Sequence, residues 1–260
     1  MDLLNLARAL DPIYLMRDAG FEPDPWQARV LRSSSDRIML LCARQMGKSL
    51  VTAARAVHRA LFRPNSFILL ISRSQDQSDE LFLKIKRIYS ALGRPVPVVR
   101  ELVSQIVLAN GSRIVALPNN PDTARGYSDV DLLIIDEASR VPHSVIVATE
   151  PMILASRGDV ILLSTPAGQS NYFYDQWISP HGRWERITAR AAECPRFDPA
   201  LLDELRHDLG PAMSAQELDC EFLRDDQQVF STESIDAIFD TDEEAIRLPD
   251  SPGILPGPRW

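Results

Sequence analysis

The chain has 260 residues, of which 45% are hydrophobic and 25% are charged, and it contains three cysteines. Because the cysteines are scattered and odd in number, the composition argues against a disulfide framework and favours a reducing compartment. No apolar run approaches the ~20 residues that span a bilayer. The first residues also lack an apolar signal core, so we expect a cytoplasmic protein with no membrane anchor.

The net charge of −8 is unevenly distributed along the chain. Residues 1–200 carry 24 basic and 21 acidic residues, whereas residues 201–260 carry 4 and 15. The global acidity therefore does not exclude nucleic-acid binding by the first part. The length suits one large α/β domain, or one domain with a small appendage.

The first residues predict a helical arm. Residues 3–20 read as one or two short helices interrupted at Asp11-Pro12. A further helix begins at Asp24-Pro25, since aspartate is a favourable cap and proline is favoured at the first helical position. Gln27 lies in this helix, 21 residues before Lys48. From the residues alone an exposed helix glutamine is favoured, and an amide that reads the adenine edge is the alternative.

Residues 37–49, RIMLLCARQMGKS, predict a phosphate-binding loop. The apolar run from Ile38 to Leu41 is typical of a buried parallel strand, and apolar residues recur at helical spacing after Ser49. In this layout the loop and the helix N-terminus face the phosphates of a nucleotide. The lysine reaches the β- and γ-phosphates, and the hydroxyl holds Mg²⁺. Cys42 replaces the first glycine of G-x-x-x-x-G-K-[ST], so a surface turn with a lysine is the alternative.

The next segments predict a strand, a helix and a hairpin. Residues 66–72, SFILLIS, read as a second buried strand. Ser74 and Gln77 have the spacing of a capping box, which begins a helix. Residues 105–117 contain two runs rich in strand-forming residues, joined at Asn110-Gly111, which is the strongest short signal for a hairpin.

Residues 131–137, DLLIIDE, predict a buried strand that ends in two acids. In open α/β sheets, ligands bind at the carboxyl ends of the strands, and this pattern is the Walker B arrangement. Asp136 is then expected to position Mg²⁺ through its waters, and Glu137 to polarise the attacking water. An ordinary acidic turn is the alternative, which the phosphate-binding loop 88 residues earlier disfavours.

Another strand is predicted over residues 159–163, ending in Ser164-Thr165-Pro166. A polar strand end of this kind can sense the γ-phosphate. The aromatic residues that follow could stack on bases, but packing at the start of a helix is favoured; they are Tyr172, Phe173, Tyr174 and Trp177. Residues 184–190 predict one more strand.

From Asp198 onwards the pattern is helical. One helix is expected to run to about Leu209 and to end at Gly210-Pro211. Ser214 with Glu217 has capping-box spacing and predicts the start of the next helix, and a further short helix is expected near Thr232. Residues 240–260 are rich in acids and proline and read as a linker or tail.

Taken in order, these motifs resemble the ATPase portion of a phage or prophage terminase large subunit, the DNA-packaging motor. The resemblance covers about residues 20–240. It rests on PWQ, ARQMGKS, ARG, LLIIDEAS and STPAGQSNYFY, which begin at Pro25, Ala43, Ala124, Leu132 and Ser164, and on AQELDCEF from Ala215. Terminases that resemble this chain often lack the first glycine of the loop, so Cys42 fits the family.

The resemblance implies an α/β fold of the P-loop NTPase class. Its central sheet is expected to be mainly parallel and flanked by helices, with a small helical lid subdomain at the C-terminal end. The expected divisions are an ATPase core over residues 1–195, with a helical arm over 1–24, a lid over 196–239 and a tail over 240–260.

The resemblance also implies roles for individual residues. Gln27 would read adenine, which reverses the interpretation from spacing alone. Arg44 would contact the phosphates, and Arg125 would reach the nucleotide of a neighbouring subunit. The nucleotide-binding set would be Gln27, Arg44, Gln45, Met46, Gly47, Lys48 and Ser49, with Ser49 and Asp136 as the metal-binding pair. The catalytic set would be Glu137, Lys48, Arg44 and Arg125, and Ser164, Thr165 and Asn171 would couple loss of the γ-phosphate to DNA movement.

The implied function is Mg²⁺-dependent ATP hydrolysis that drives double-stranded viral DNA into a procapsid. The implied partners are DNA, the portal protein, the small terminase subunit and further copies in a ring, at the procapsid portal in the host cytoplasm. The alternatives are a helicase-like DNA-dependent ATPase, for which the chain offers no second nucleotide-facing domain, and a truncated prophage remnant that binds nucleotide without motor activity.

Terminase large subunits normally continue into a nuclease domain of the ribonuclease-H type, where clustered acids hold two metals. Here the acids near the end of the sequence are not preceded by an apolar strand that would present them in a dry site; they are Asp240, Asp242, Glu243 and Glu244. We read them as a charged linker and expect no nuclease activity from this chain.

Overall fold

The computed structural model describes residues 3–224, and its centre is a mainly parallel sheet. The strands are β1 (Arg37–Cys42), β2 (Phe67–Ser72), β3 (Val98–Glu101), β4 (Gln105–Leu108), β5 (Arg113–Pro118), β6 (Leu132–Asp136), β7 (Asp159–Ser164) and β8 (Glu185–Ala189). The helices are α1 (Leu3–Leu10), α2 (Pro12–Asp18), α3 (Pro25–Arg32), α4 (Lys48–Phe62), α5 (Gln75–Ala91), α6 (Pro121–Ala124), α7 (His143–Ser156), α8 (Tyr172–Ile178) and α9 (Pro199–Glu217). The expected α/β fold is confirmed.

The strand order is β3-β4-β5-β2-β6-β7-β1-β8. The six strands from β5 to β8 in this order pair in parallel, and β3, β4 and β5 pair antiparallel. β7 lies between β1 and β6, where Leu41 pairs with Ser164 and Asp136 with Leu163. The carboxyl ends of these three strands therefore meet at one edge, which is where an open α/β sheet binds ligands.

The strands of the centre form where the sequence has short, continuous apolar runs. All five residues of β6 and all six of β2 are buried, as expected for parallel strands covered on both faces. The hairpin predicted at Asn110-Gly111 is present between β4 and β5, and Gly111 has the positive φ of 84° that such a turn requires.

Helix α4 begins directly at the phosphate-binding loop and runs across the sheet. Its apolar side is buried from Val51 to Leu61, and it packs against α2, α3 and α5 and against β2 and β6. A helix that is held along its whole length fixes its own N-terminus, so the loop before it has a rigid support.

The N-terminal arm has the two predicted helices. Asp11 caps α2 by accepting a hydrogen bond from Ile13 N, which explains the interruption at Asp11-Pro12. α1 and α2 both pack against α4, and His58 Nε2 on α4 lies 3.1 Å from Arg8 O at the end of α1.

The helix predicted to end at Gly210-Pro211 does end there, because Gly210 has non-helical φ and ψ angles of 71° and 172° that divide α9 into two helices. A second helix follows as predicted, but its predicted start at Ser214 is wrong, since Pro211 occupies its first position. Ser214 lies inside the last turn, where its hydroxyl donates to Arg206 O at 3.0 Å. Residues 218–224 are not helical. The helix predicted near Thr232 and the tail predicted over 240–260 lie outside the described residues.

The four-residue helix α6 has no counterpart among the predictions, and neither has helix α7. α7 contains Pro151 and is apolar along most of its length, so it lacks the helical periodicity by which the other helices were recognised. Within residues 3–224, none of the helices is both long enough and apolar enough to cross a membrane.

Candidate nucleotide site

The predicted phosphate-binding loop runs from Ala43 to Gly47, between β1 and α4. Two of its residues have left-handed backbone, Gln45 with φ 58° and Gly47 with φ 85°. The first N–H groups of a helix have no intrahelical partner, so those at the start of α4 are open to a ligand at this loop. A helix N-terminus with such groups and a positive dipole end favours an anion.

Gly47 is required by space as well as by backbone conformation. A Cβ atom at this position would lie 2.8 Å from Gln27 Nε2. The glycine therefore allows α3 to approach the loop closely, and this close approach explains why a glycine precedes Lys48 in the motif.

Lys48 and Glu137 form the centre of the site. Lys48 Nζ lies 2.8 Å from Glu137 Oε1, and both side chains are largely buried. Glu137 follows the last residue of β6 and has a left-handed φ of 52°, so the backbone leaves the extended conformation of the strand at this residue. Sequence alone predicted both residues as catalytic, and the fold brings them into direct contact.

Ser49 and Asp136 form a second pair beside the first. Ser49 Oγ donates to Asp136 Oδ2 at 3.1 Å, and Glu137 N donates to Asp136 Oδ1 at 2.9 Å. Burial raises the pKa of Asp136 above its ordinary value, and the negative charge of Glu137 adds to this against the opposing effect of Lys48. A buried carboxylate and a hydroxyl are hard oxygen ligands of the kind that Mg²⁺ uses together with waters.

The end of β7 contributes two hydroxyls to the same carboxylate. Ser164 Oγ and Thr165 Oγ1 each donate to Glu137 Oε2 at 3.4 Å. Ser139 ties the two strand ends together, since its N–H donates to Ser164 Oγ at 3.2 Å and its hydroxyl to Thr165 O at 2.9 Å. The predicted coupling residues Ser164 and Thr165 therefore contact the predicted catalytic glutamate.

Two cations determine the ionisation of Glu137. Burial raises the pKa of Glu137, but the charge and hydrogen bond of Lys48, with a contribution from Arg140, outweigh burial, so the pKa is lowered. Arg140 Nη1 lies 3.4 Å from Glu137 Oε2. The carboxylate is therefore ionised at neutral pH, as a group that accepts a proton or polarises water must be.

Cys42 stands at the position of the missing first glycine, and its backbone is still in the extended conformation of strand β1. It is fully buried and pairs in register with Ala189 of β8. Burial raises the pKa of its thiol, so it behaves as a small neutral side chain. The loop turns three and five residues later, at Gln45 and Gly47.

Gln27 lies against the loop and is 1% exposed. Its Nε2 donates to Met46 O and Gly47 O at 3.4 Å, and its Oε1 accepts from Asp24 N at 2.9 Å. The amide thus connects α3 to the loop through main-chain groups. A cavity of about 600 Å³ lies alongside, and its lining includes Phe21, Gln27, Gln45, Leu50 and Arg196.

Arg196, which the sequence analysis did not single out, braces the loop from the other side. Its Nη1 binds both carboxylate oxygens of Asp24, at 2.8 and 2.7 Å, and its Nη2 donates to Met46 O at 3.1 Å. The partner residues are 172 and 150 positions away in the chain, so no local pattern could have indicated this role.

Arg44 is held by the last turn of α9. Its guanidinium forms an ion pair with Glu217, whose side chain is 6% exposed, and Arg44 N donates to Glu217 O at 3.2 Å. The N–H of Ala43 donates to Ala189 O at 2.9 Å. The first two N–H groups of the loop are therefore bonded to protein, and Glu217 is a second loop contact absent from the predicted set.

Two predicted residues lie apart from this cluster. Arg125 follows α6 on an exposed loop, with its side chain 62% exposed and paired with Asp122 at 2.9 Å. Asn171 caps α8 by accepting from Tyr174 N at 2.9 Å, and its Nδ2 donates to Ala167 O at 2.8 Å. Asn171 thus orders the loop that follows β7 rather than contacting Glu137.

The aromatic residues around α8 mostly pack, as the sequence favoured. Phe173 is fully buried and stacks on Trp177 with ring centroids 5.9 Å apart. Tyr174 meets Phe222 edge to face at 5.0 Å, and Gln169 Nε2 donates to Phe222 O at 3.0 Å. These contacts join the loop after β7 to the segment that follows α9.

A family model described as "Terminase large subunit, T4likevirus-type, N-terminal" matches residues 39–237. A curated terminase large subunit of Thermus virus P23-45 is 30% identical over 179 residues, covering 61% of this chain and 36% of that protein. The chain therefore matches only about a third of that relative's length.

Two solved structures extend the likeness to the fold. The large terminase ATPase domain of Thermus phage P74-26 gives a TM-score of 0.71 at 22% identity, covering 80% of this chain and 97% of that chain. The large terminase of a thermophilic bacteriophage in complex with ADP gives 0.66 at 10% identity, covering 77% and 54%.

Proposed function

The chain belongs to the T4likevirus-type terminase large subunit family, in the part that the N-terminal family model describes, and on that premise we propose that it hydrolyses ATP to move double-stranded DNA into a procapsid. The observation that carries the proposal is the convergence of two distant motifs. Lys48 and Ser49 at the start of α4 contact Glu137 and Asp136 at the end of β6, at 2.8 and 3.1 Å.

The triphosphate binds at the loop between β1 and α4. The helix N-terminus and Lys48 supply the positive potential, and Lys48 is the group that moves from Glu137 to the β- and γ-phosphates. Arg44 leaves Glu217 in the same way when it contacts a phosphate. The adenine lies in the cavity beside Gln27, which is adjacent to the loop and large enough for a base. The large terminase of a thermophilic bacteriophage in complex with ADP supports a nucleotide here.

Ser49 and Asp136 are the residues that would hold Mg²⁺. Their hydroxyl and carboxylate oxygens face each other at 3.1 Å, and Mg²⁺ commonly takes only one or two protein carboxylates, keeping waters and phosphate oxygens as its other ligands. When bound there, Mg²⁺ would neutralise part of the charge on the β- and γ-phosphates. Burial raises the pKa of Asp136, and a cation bound beside it would favour the ionised carboxylate.

Glu137 orients and polarises the attacking water. Phosphoryl transfer depends mainly on positioning and electrostatic stabilisation, so no covalent intermediate on the protein is expected. Ser164 and Thr165 contact the same carboxylate, and through them the end of β7 responds to the position of Glu137. Through this contact, ATP hydrolysis is coupled to the movement of DNA, and Asn171 maintains the conformation of the loop after β7.

DNA, the portal protein, the small terminase subunit and neighbouring copies in a ring are the proposed partners, at the procapsid portal in the host cytoplasm. The charge distribution supports DNA as a partner, since the excess of acids lies in residues 201–260 and the preceding 200 residues are slightly basic. Residues 196–224 of the proposed lid, residues 196–239, meet the loop through Arg196 and Glu217.

The test is ATP turnover by the purified chain with and without double-stranded DNA. We expect Mg²⁺-dependent turnover that DNA stimulates and that Lys48→Ala abolishes, whereas Lys84→Ala, a lysine on α5, retains it. Nucleotide binding without turnover would contradict the motor and support a remnant. Stimulation by single-stranded but not double-stranded DNA would support the helicase-like alternative.

A further inference from the structure

Arg140 lies where three parts of the site meet. It ends the short 3-10 turn Ala138–Arg140 that follows β6. Its Nη1 lies 3.4 Å from Glu137 Oε2 and donates to Thr165 Oγ1 at 3.1 Å. The side chain is only 26% exposed, so the arginine is enclosed by the site rather than extended into solvent.

The two oxygens of Glu137 are held by different elements. Oε1 contacts Lys48 at 2.8 Å. Oε2 is surrounded by Arg140 and by the hydroxyls of Ser164 and Thr165, each at 3.4 Å. Only the Oε1 contact comes from the phosphate-binding element, so a phosphate that draws Lys48 away frees Oε1 and leaves the contacts to Oε2 in place.

We propose that Arg140 is a positioning residue for Glu137, which holds Oε2 against the end of β7 so that Oε1 faces the nucleotide when Lys48 moves to the phosphates. The inference rests on the proposed ATP hydrolysis. A carboxylate that loses one of its two partners can rotate about its side-chain bonds, and small misplacements of a catalytic group cost large factors in rate. Arg140 prevents that rotation because it is anchored independently, through Thr165 and its own backbone.

The backbone supports this anchoring. Arg140 N donates to Glu137 O at 2.8 Å, so the arginine and the glutamate are the two ends of one tight turn. Ser139, between them, is bonded to Ser164 and Thr165. The turn therefore fixes the backbone of Arg140 beside Glu137, and the bond from Nη1 to Thr165 Oγ1 holds the guanidinium against Oε2.

The chain offers a matched control. Arg190 and Glu193 form an ion pair with the same i,i+3 spacing and the same 3.4 Å distance. Both side chains are about half exposed, and this pair does not include a residue of the predicted site. Removing Arg190 thus tests what the loss of such a pair does outside the site.

The experiment compares the wild type with Arg140→Ala, Arg140→Lys and Arg190→Ala. Steady-state ATP hydrolysis gives kcat and KM, and the shift in melting temperature on adding ATP with Mg²⁺ reports binding. For Arg140→Ala we expect kcat to fall by about 10–100-fold, with KM and the ATP-induced shift within about twofold of the wild type. Arg140→Lys should recover part of kcat, and Arg190→Ala should match the wild type.

A double substitution separates positioning from general stability. If Arg140 acts through Glu137, then Arg140→Ala in a Glu137→Gln background should lower the residual rate by less than twofold, because the group that it positions has been neutralised. Equal losses in both backgrounds, an unchanged kcat in Arg140→Ala, or a parallel loss of ATP binding would overturn the inference. An inactive wild type would instead overturn the proposed function, and the inference with it.

Discussion

Lys48 and Glu137 face each other across the carboxyl ends of β1 and β6, with Nζ 2.8 Å from Oε1. In the proposed hydrolysis of ATP, Lys48 binds the phosphates and Glu137 orients the attacking water. Because one ammonium cannot hold a carboxylate and a phosphate equally tightly, Glu137 would then compete with the triphosphate for Lys48. The ion pair seen here would therefore have to open when ATP binds.

The first prediction concerns Glu137→Gln. The amide has the shape of the carboxylate but no charge, so it holds Lys48 less strongly and cannot serve as a base. We expect ATP to bind at least as tightly as in the wild type, while kcat falls by about 10²–10⁴-fold. Equilibrium binding of a fluorescent ATP analogue and a turnover assay measure the two effects. Wild-type turnover in this variant would refute the catalytic assignment.

The second prediction concerns Gly47→Ala. Alanine at a φ of 85° is strained by about 1–2 kcal/mol, and its Cβ would also crowd Gln27 Nε2 at 2.8 Å. Gly93 is the matched control, since it has a φ of 77° and open space around a new Cβ. We expect Gly93→Ala to lower stability but retain ATP binding, and Gly47→Ala to lose both. Equal ATP binding by the two variants would show that the close approach to α3 is dispensable.

The third prediction concerns the Arg44–Glu217 pair. Arg44→Ala leaves the buried Glu217 carboxylate without its cation, which is costly. Since the side chain of Arg44 is 66% exposed, water replaces part of the lost interaction, and we expect a loss of about 1–2 kcal/mol in the free energy of unfolding. Adding Glu217→Gln should recover part of it. Urea titration of the two single variants and the double variant gives the coupling energy, and a value near zero would contradict the argument.

The fourth prediction assigns Arg125 to a neighbouring subunit. Its loop is exposed and its only ion pair within residues 3–224 is with Asp122, so it is free to reach outward. An Arg125→Ala subunit has a complete site of its own but cannot supply the arginine to its neighbour. A Glu137→Gln subunit can supply the arginine to its neighbour but cannot hydrolyse ATP in its own site. Each variant alone should lose about 10³-fold or more in rate, and mixing them under assembly conditions should restore turnover.

Two controls make the mixing test decisive. Asp122→Ala removes the partner of Arg125 and should leave turnover close to the wild-type rate. Co-purification of differently tagged subunits establishes that mixed assemblies form. If they form and the ATPase does not return, Arg125 acts within its own subunit or braces its own loop.

The fifth prediction concerns pH and the N-terminal arm. Burial lowers the pKa of His58 below its ordinary value of 6.5, and the nearby charges of Arg55 and Arg59 act in the same direction. Below that pH the unfolded chain therefore binds a proton that the folded chain excludes, so stability falls as pH decreases from about 6.5 towards the lowered folded pKa. Melting temperatures from pH 7.5 to 5 should show this loss, and His58→Gln should reduce it. An unchanged slope in His58→Gln would contradict the assignment.

The strands and helix α4 could be predicted because their signals are local. β1, β2, β6 and β7 are apolar runs bounded by polar residues, and α4 begins at a motif whose chemistry requires a helix N-terminus. The same locality explains the mistake at Ser214. A Ser-x-x-Glu pattern can occur at the start of a helix or in its last turn. Here the helix starts directly after the break at Gly210, which places Ser214 in the last turn.

The contacts that complete the site could not be predicted, because they join residues far apart in the chain. Arg196 reaches Asp24 and Met46, and Glu217 reaches Arg44. Arg140 was close in sequence to Glu137, and its i,i+3 spacing was the one available signal. Asn171 occupies a position of the family motif, yet its side chain caps α8. A residue that belongs to the motif therefore need not contact the reacting groups.

The strand geometry of Cys42 has a consequence for recognising relatives of this chain. The first glycine of the consensus loop is unnecessary here because the backbone turns at Gln45 and Gly47, while residue 42 stays paired with Ala189. A pattern search that insists on that glycine would pass over this chain and every homologue built in the same way. A search that requires a small buried residue at the strand end, followed five residues later by Gly-Lys-Ser or Gly-Lys-Thr, would retain them.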